Sequence, residues 1–274
     1  MNRISQFIDI AGRFARESKN DPFIVGAGII LPTTKETSIR AKLKEIPKWK
    51  VATPGSLNLI AKIIAEHDIF GSIVKIEKSS PEWEIFWDKG KDRYRALANK
   101  LKGSAAFLKP GNIVRQLVLA RCAITSFCHY FESNGLPPIL SSKRLAIISL
   151  TVVCDTDIQG EDSIEAFKET WWRWSKRSGL ERTLGIDPFL KSVTFKPESE
   201  EPILNLSDSL AGCIHASLAG RSYKLPAQLD QSSIILLREF IDSSEKLKTV
   251  SWSFKEIFPD ITAAFTATGK SPRA

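Results

Sequence analysis

The sequence predicts an α/β fold in which a mixed sheet is flanked by helices and interrupted by helical insertions. Three observations carry that expectation. Short β-branched and aromatic runs alternate along the chain with longer segments of helical period. The run "KRLAIISLTVVCD" is apolar almost throughout, as a strand covered on both faces must be. Hydrophobic residues make up 43% of 274 positions, enough for a substantial core. One domain over residues 1–260, followed by a frayed tail at 261–274, is the expected organisation.

Taken in order, "RISQFIDIAG" and "FIVGAGIIL" read as two strands joined by the polar stretch "RFARESKNDP". "TKETSIRAKLKEI" and "GSLNLIAKIIAEH" carry helical spacing with polar faces, and "PKWKVATPG" breaks between them. A third strand, "FGSIVKIEK", precedes "PEWEIFWDKGKDRYRALANKLKG", which is mostly helical. A long apolar helix follows over "NIVRQLVLARCAITSFCHYFESNG", stopped by Gly135 with Pro137 and Pro138 beyond it. The apolar strand that comes next stops at Asp155. "EDSIEAFKETWWRWSKRSG" opens with acids and closes with bases, as a helix dipole favours. "LKSVTFKP" is a short strand, and "EEPILNLSDSLAGCIHASLAG" and "SSIILLREFIDSSEKL" are the closing helices.

Lys and Arg outnumber Asp and Glu by 39 to 31, which gives a net charge of +8 and a pI near 9.3. A basic surface attracts polyanions at long range, so nucleic acid, RNA or DNA, is the expected partner. The four cysteines, Cys122, Cys128, Cys154 and Cys213, form no CxxC pair and sit in apolar runs, which predicts reduced, buried thiols. The first residues have too short an apolar stretch for a signal peptide, and no segment reaches about eighteen uninterrupted apolar residues. The expected setting is cytoplasmic, without membrane contact.

Ligands in α/β sheets gather at strand ends, and Asp155 stands at one. Asp9 is the sole acid of the first strand. If the two strands are neighbours, both carboxylates resist ionising in a low-dielectric place without a cation. In "ILNLSDSLAG" an aspartate interrupts an apolar helical pattern. Leu206, Leu210, Cys213, Ile214 and Leu218 share one broad face, and Asp208, Gly212, His215 and Ala219 line the opposite stripe. That stripe either admits an adjoining element or a phosphate beside the carboxylate, or simply faces water. Drawn together, Asp9, Asp155 and Asp208 would form an oxygen-only site suited to Mg2+ or Mn2+. Such a site fits metal-dependent phosphodiester hydrolysis.

"FIDIAG" followed by "FIVGAGIIL", the strand ending "VVCD", and "ILNLSDSLAGCIHASLAG" together resemble the DUF3800 family over roughly residues 5–220. The resemblance implies a ribonuclease H-like fold and a metal-dependent nuclease, with Asp9, Asp155 and Asp208 as catalytic and metal-holding residues. It also implies a fourth, glutamate ligand after the second strand, for which Glu45 is the first candidate, with Glu77 and Glu132 behind it. The family's Asp-Glu-Ser-Gly motif is here Asp9-Ile10-Ala11-Gly12, so the acid and the serine after the first aspartate are missing. That departure motivates an alternative: a catalytically silent nucleic-acid-binding or assembly subunit, with a protein partner or as a homo-oligomer, in defence against mobile elements.

Two basic stretches bear on the polymer. Trp172, Arg173, Lys176 and Arg177 interleave an aromatic ring with cations as nucleic-acid contacts do, Trp172 either stacking on a base or capping a neighbouring helix, whereas Ile164, Phe167, Trp171 and Trp174 share a face suited to the core. Lys89, Lys91, Arg93, Arg95, Lys100 and Lys102 read either as a solvated helix face or as a patch that tracks phosphates. "VGAGIIL" lacks the third glycine of a dinucleotide loop, and His67 and His129 have no partner at a metal-binding or nucleophile-base spacing.

Overall fold

The structure, a computed structural model, describes residues 3–14, 21–44, 46–79, 81–98, 109–134, 146–155, 164–165, 167–168, 171, 186–220 and 223–253. Among them the strands are β1 (Arg3–Ala11), β2 (Phe23–Pro32), β3 (Phe70–Glu77), β4 (Ala146–Cys154), β5 (Ile186–Phe195) and β6 (Leu247–Ser253). The α-helices are α1 (Glu36–Leu43), α2 (Pro54–Glu66), α3 (Pro81–Ala98), α4 (Pro110–Asn134), α5 (Leu204–Ala219) and α6 (Gln231–Ser243). The mixed α/β class expected from the sequence is the class observed.

The strands form one sheet in the order β5-β4-β1-β2-β3-β6. β1, β2 and β3 are an antiparallel meander, as the short connections dictate. β4 lies parallel to β1, β5 parallel to β4, and β6 parallel to β3. β1 is therefore central, and β1, β4 and β5 present their carboxyl ends along one edge. β6 is an addition to the sequence reading. In "LKTVSWS" the β-branched and aromatic residues occupy a short run directly after α6, and they continue the sheet beyond β3.

Strand alternation sorts the core into two halves. On one face Ile8, Ile24, Val74 and Cys154 pack with Val118, Cys122 and Phe127 of α4. On the other, Phe7, Val25, Ile73 and Val153 pack with residues of α1, α2, α5 and α6, including Ile39, Ile60, Leu210 and Ile234. Phe167 and Trp171 are buried on the α4 face and Ile164 packs there, so these three expected core residues serve as core. Helix starts are fixed locally. Thr53 and Ser56 form a capping box at α2 with Pro54 just inside it, and the Asp230 carboxylate accepts from the Ser233 N–H at α6. All four cysteines are free; Cys122, Cys154 and Cys213 are buried. Among the described residues no helix is long and apolar enough to cross a membrane.

The glycines of "VGAGIIL" exist for helix-on-sheet packing. A Cβ at Gly26 would lie 2.5 Å from Cys122 Sγ and 2.7 Å from Val118 Cγ1. Gly26→Val is expected to destabilise the protein by about 1–3 kcal/mol through overpacking, read as a lower urea midpoint at unchanged slope. An unaltered midpoint would mean that α4 does not seat on β2 this closely.

Candidate metal centre

Asp9 stands near the end of β1, and its direction follows from the pleat. Phe7 belongs to the α5-side core and Ile8 to the α4-side core, so Asp9 returns to the α5 side, where it is buried. Its Oδ1 accepts from the Ile10 N–H at 2.7 Å. The next strand repeats the pattern. Val153 is on the α5 side and Cys154 on the α4 side, and the Asp155 N–H continues the ladder to the Ile8 carbonyl at 3.2 Å. The alternation thus directs Asp155 to the face of Asp9 from the adjacent strand. Ile10 packs on the α4-side core, away from the Asp9 carboxylate. Gly12 ends the strand at φ 107°, a backbone conformation that favours glycine.

Asp208 arrives from the other side on α5. From Leu204 to Ala216 every residue of this helix is buried except Asp208, which is half-buried. Ser207 Oγ donates to the Phe7 carbonyl at 2.7 Å, which lays the helix directly on β1. The stripe of Asp208 and Gly212 admits an adjoining element, the short segment 46–52. The Trp49 N–H donates to Asp208 Oδ2 at 2.7 Å, and Asn205 Nδ2 donates to the Ile46 carbonyl at 2.9 Å. The Trp49 ring lies where a Gly212 side chain would be: an added Cβ would stand 2.5 Å from it. Its indole N–H donates to Tyr223 Oη at 2.9 Å. The water-facing reading of Asp208 and His215 is thereby corrected. His215 is buried, with Nε2 2.6 Å from Asp21 Oδ1.

The third converging acid is Glu198, in the turn after β5, whereas the expected ligand Asp155 stands beside the group as a neighbouring charge and not within it. Ligand oxygens of Asp9, Glu198 and Asp208 lie within 4.8 Å of one another. Of the expected glutamates, Glu77 is exposed at the end of β3, opposite Phe23, and Glu132 pairs with Lys248 at 2.8 Å from α4, on the far face of the sheet. Neither joins the cluster, and Glu45 lies outside the described residues. The signal for Glu198 was positional. β5 is parallel to β4, and the Lys196 N–H reaches the Cys154 carbonyl at 2.9 Å, so the first acid beyond β5 emerges beside Asp155. Glu198 is ion-paired with Lys48, the residue before Trp49. Trp172, Arg173, Lys176 and Arg177, the expected nucleic-acid contacts, lie outside the described residues, while Lys89 and Lys91 are on a solvated face as expected.

The electrostatics follow from this crowding. Burial, then the charges of Asp208 and Asp155, hold the Asp9 carboxyl well above the usual carboxylate range. Burial pushes Asp208 up to about 6 against the Trp49 N–H bond, with Glu198 and Asp155 adding to the rise. Lys48 is raised, chiefly by its hydrogen bond to Glu198, with Asp155 and Asp208 contributing. The donor set is oxygen-only, close and short of positive charge, and it fits a hard divalent cation.

A second buried charge group steadies the segment leading out of β1. Lys78 is fully buried; its Nζ donates to the Arg13 carbonyl at 3.0 Å and lies 3.9 Å from Asp21. Burial opposes ionisation of Asp21, but the His215 hydrogen bond and charge, the Arg13 N–H and Lys78 together bring its pKa below the ordinary value. This group is structural scaffolding beside the cluster, joined to it through the edge contact of His215 with Tyr223.

Two outcomes follow. Gly212→Ala is expected to cost about 1–3 kcal/mol and to change the environment of Trp49, read by urea melts followed by tryptophan fluorescence; a wild-type curve and spectrum would contradict the packing. Asp208 titrates near 4 in an unfolded chain and near 6 when folded, so the folded state binds more protons between these values. Its stability contribution is full below the unfolded value and is lost as pH rises through about 6. In ion-free buffer Asp208→Asn should gain in melting temperature relative to wild type as pH is raised across that window, and parallel curves would refute the shift.

No family model matches the chain, and no curated protein matches it. Among solved structures the chain is similar to a chain in the PCNA:RNase HII complex from Archaeoglobus fulgidus, at 14% identity and a TM-score of 0.39, over 89% of this chain and 93% of that one. It is also similar to Bst-RNase HIII in complex with Mn2+, at 12% identity and a TM-score of 0.38, over 97% and 70% of the two chains. The antiparallel meander flanked by β4 and β5, both parallel to its first strand, with helices on both faces, is a ribonuclease H-like sheet, and β6 extends it.

Proposed function

We propose that the protein is a divalent-metal-dependent nuclease of ribonuclease H-like type, with kinship to the DUF3800 family, acting on phosphodiesters of RNA or DNA. One observation carries the reading: carboxylates of Asp9, Glu198 and Asp208 from a central strand, a post-strand turn and a helix come within 4.8 Å, with Asp155 beside them. A folded protein gains nothing from bringing these like charges together out of water, so the arrangement is best accounted for by a cation.

Asp9, Asp155, Glu198 and Asp208 would hold Mg2+ or Mn2+. When bound, the ion supplies Lewis acidity toward water and a phosphate oxygen. Orientation is the work of the chain. The Ile10 N–H fixes one Asp9 oxygen and the Trp49 N–H one Asp208 oxygen, and the two carboxyls also meet each other directly, a contact that a bound ion would replace. The net charge of +8 draws the polyanion to the protein. Trp172, Arg173, Lys176 and Arg177 are the proposed contacts to the strand.

Purified protein should cleave labelled single-stranded RNA, DNA or an RNA–DNA hybrid with Mg2+ or Mn2+ and stop on chelation. Asp9→Asn and Glu198→Gln should each lower the rate by about two orders of magnitude or more while the melting temperature is kept or raised. Cleavage that survives both substitutions, or no cleavage of any of the three polymers with either ion, would sink the proposal.

A further inference from the structure

Lys48 is held at this cluster by the packing of its neighbour Trp49, a buried core residue. Its Nζ is ion-paired with Glu198, and its backbone is extended, at φ −55° and ψ 152°. The following residue is anchored at three points: the Trp49 N–H on Asp208, the indole N–H on Tyr223, and the ring against Gly212. Glu198 is buried, while half of the Lys48 side chain is exposed, so the ammonium reaches inward from the rim to a carboxylate that has no other cation in an ion pair among the described residues. The packing that seats Trp49 in the core also fixes the Lys48 backbone beside Glu198.

Charge counting gives the arrangement a meaning. Asp9, Asp155, Glu198 and Asp208 carry four negative charges when ionised. Two divalent ions would neutralise them fully, with no role left for Lys48. With the ammonium on Glu198, one divalent ion leaves a single negative charge, and a second ion must first displace the lysine from its carboxylate. At these separations one elementary charge changes cation binding by an order of magnitude even at a high effective dielectric.

We propose that Lys48 is a tethered cation occupying one of two cation positions in the cluster, so that the protein holds one divalent ion instead of two. The inference rests on the metal-site reading above, and it assigns Lys48 as a positioning residue for Glu198. It also places a charge-bearing donor at the rim, where the phosphate of a bound strand would meet it.

Mn2+ titrations of the full chain, by calorimetry and by electron paramagnetic resonance of free Mn2+, test this without reference to activity. Wild type should bind one ion. Lys48→Met and Lys48→Gln should each bind a second ion, or bind the first about tenfold more tightly, whereas Lys48→Arg, which keeps the charge, should behave as wild type. A wild type that binds one ion and neutral variants of the same stoichiometry and affinity would overturn the role of Lys48 and leave the metal site standing. Two ions on wild type would do the same. No Mn2+ binding by any variant would overturn both.

Discussion

The hydrogen bond from Ser207 to the Phe7 carbonyl marks the contact on which the candidate centre depends, because it holds a helix against a central strand with only a hydroxyl between them. Helices usually stand off a sheet by the thickness of their side chains. Here Ser207 lies directly on the Phe7 carbonyl, and the burial of α5 continues around most of its circumference. Once the helix is that close, Asp208 has nowhere to go but toward Asp9. The same closeness leaves the slot above Gly212 that Trp49 fills. Ser207 brings the helix onto β1, and Gly212, on the side of the helix that Trp49 covers, admits that ring beside Asp208.

The acids impose a cost that the two halves of the core must cover. A carboxyl carried from near 4 to about 6 is destabilising by a few kcal/mol in its ionised form, and Asp9 is displaced in the same direction under the charges of its neighbours. Against this stand well-packed layers on both faces of the sheet, with Phe7, Ile8, Ile24, Ile29 and Ile30 fully buried. The fold accommodates repulsion at one edge because its cohesion lies elsewhere. The scaffold of Lys78, Asp21 and His215 shows the opposite solution to a buried charge, in which each member has a partner of its own.

Much of this was legible from the residues because the acids interrupt regular patterns. Asp9 is the sole acid of its strand, Asp155 ends an apolar one, and Asp208 is the sole charged residue of a largely apolar helix, so each stands out in the sequence. Glu198 gives no such signal. It lies in "KPESEEP" among Glu200 and Glu201, and which glutamate turns inward is decided by the register of β5 on β4 and by the claim of Arg40 on Glu201. Both are tertiary facts. Trp49 was equally silent, since its reason for being there is the missing side chain of Gly212 on a distant helix. The last strand escaped notice because "LKTVSWS" is short and half polar, and only the open edge of β3 makes it a strand.

That last strand bears on how the chain comes to be finished. A ribosome releases the meander of β1, β2 and β3 first, and until residue 247 emerges the outer rim of β3 lacks its mate and offers unpaired amides to any passing extended peptide. Asp208 is likewise translated long after Asp9. A nascent fragment therefore carries an unguarded rim and an incomplete set of acids together, and both defects are repaired within a few dozen residues of one another. The last of the converging acids and the strand that covers β3 are therefore both supplied by the final quarter of the chain.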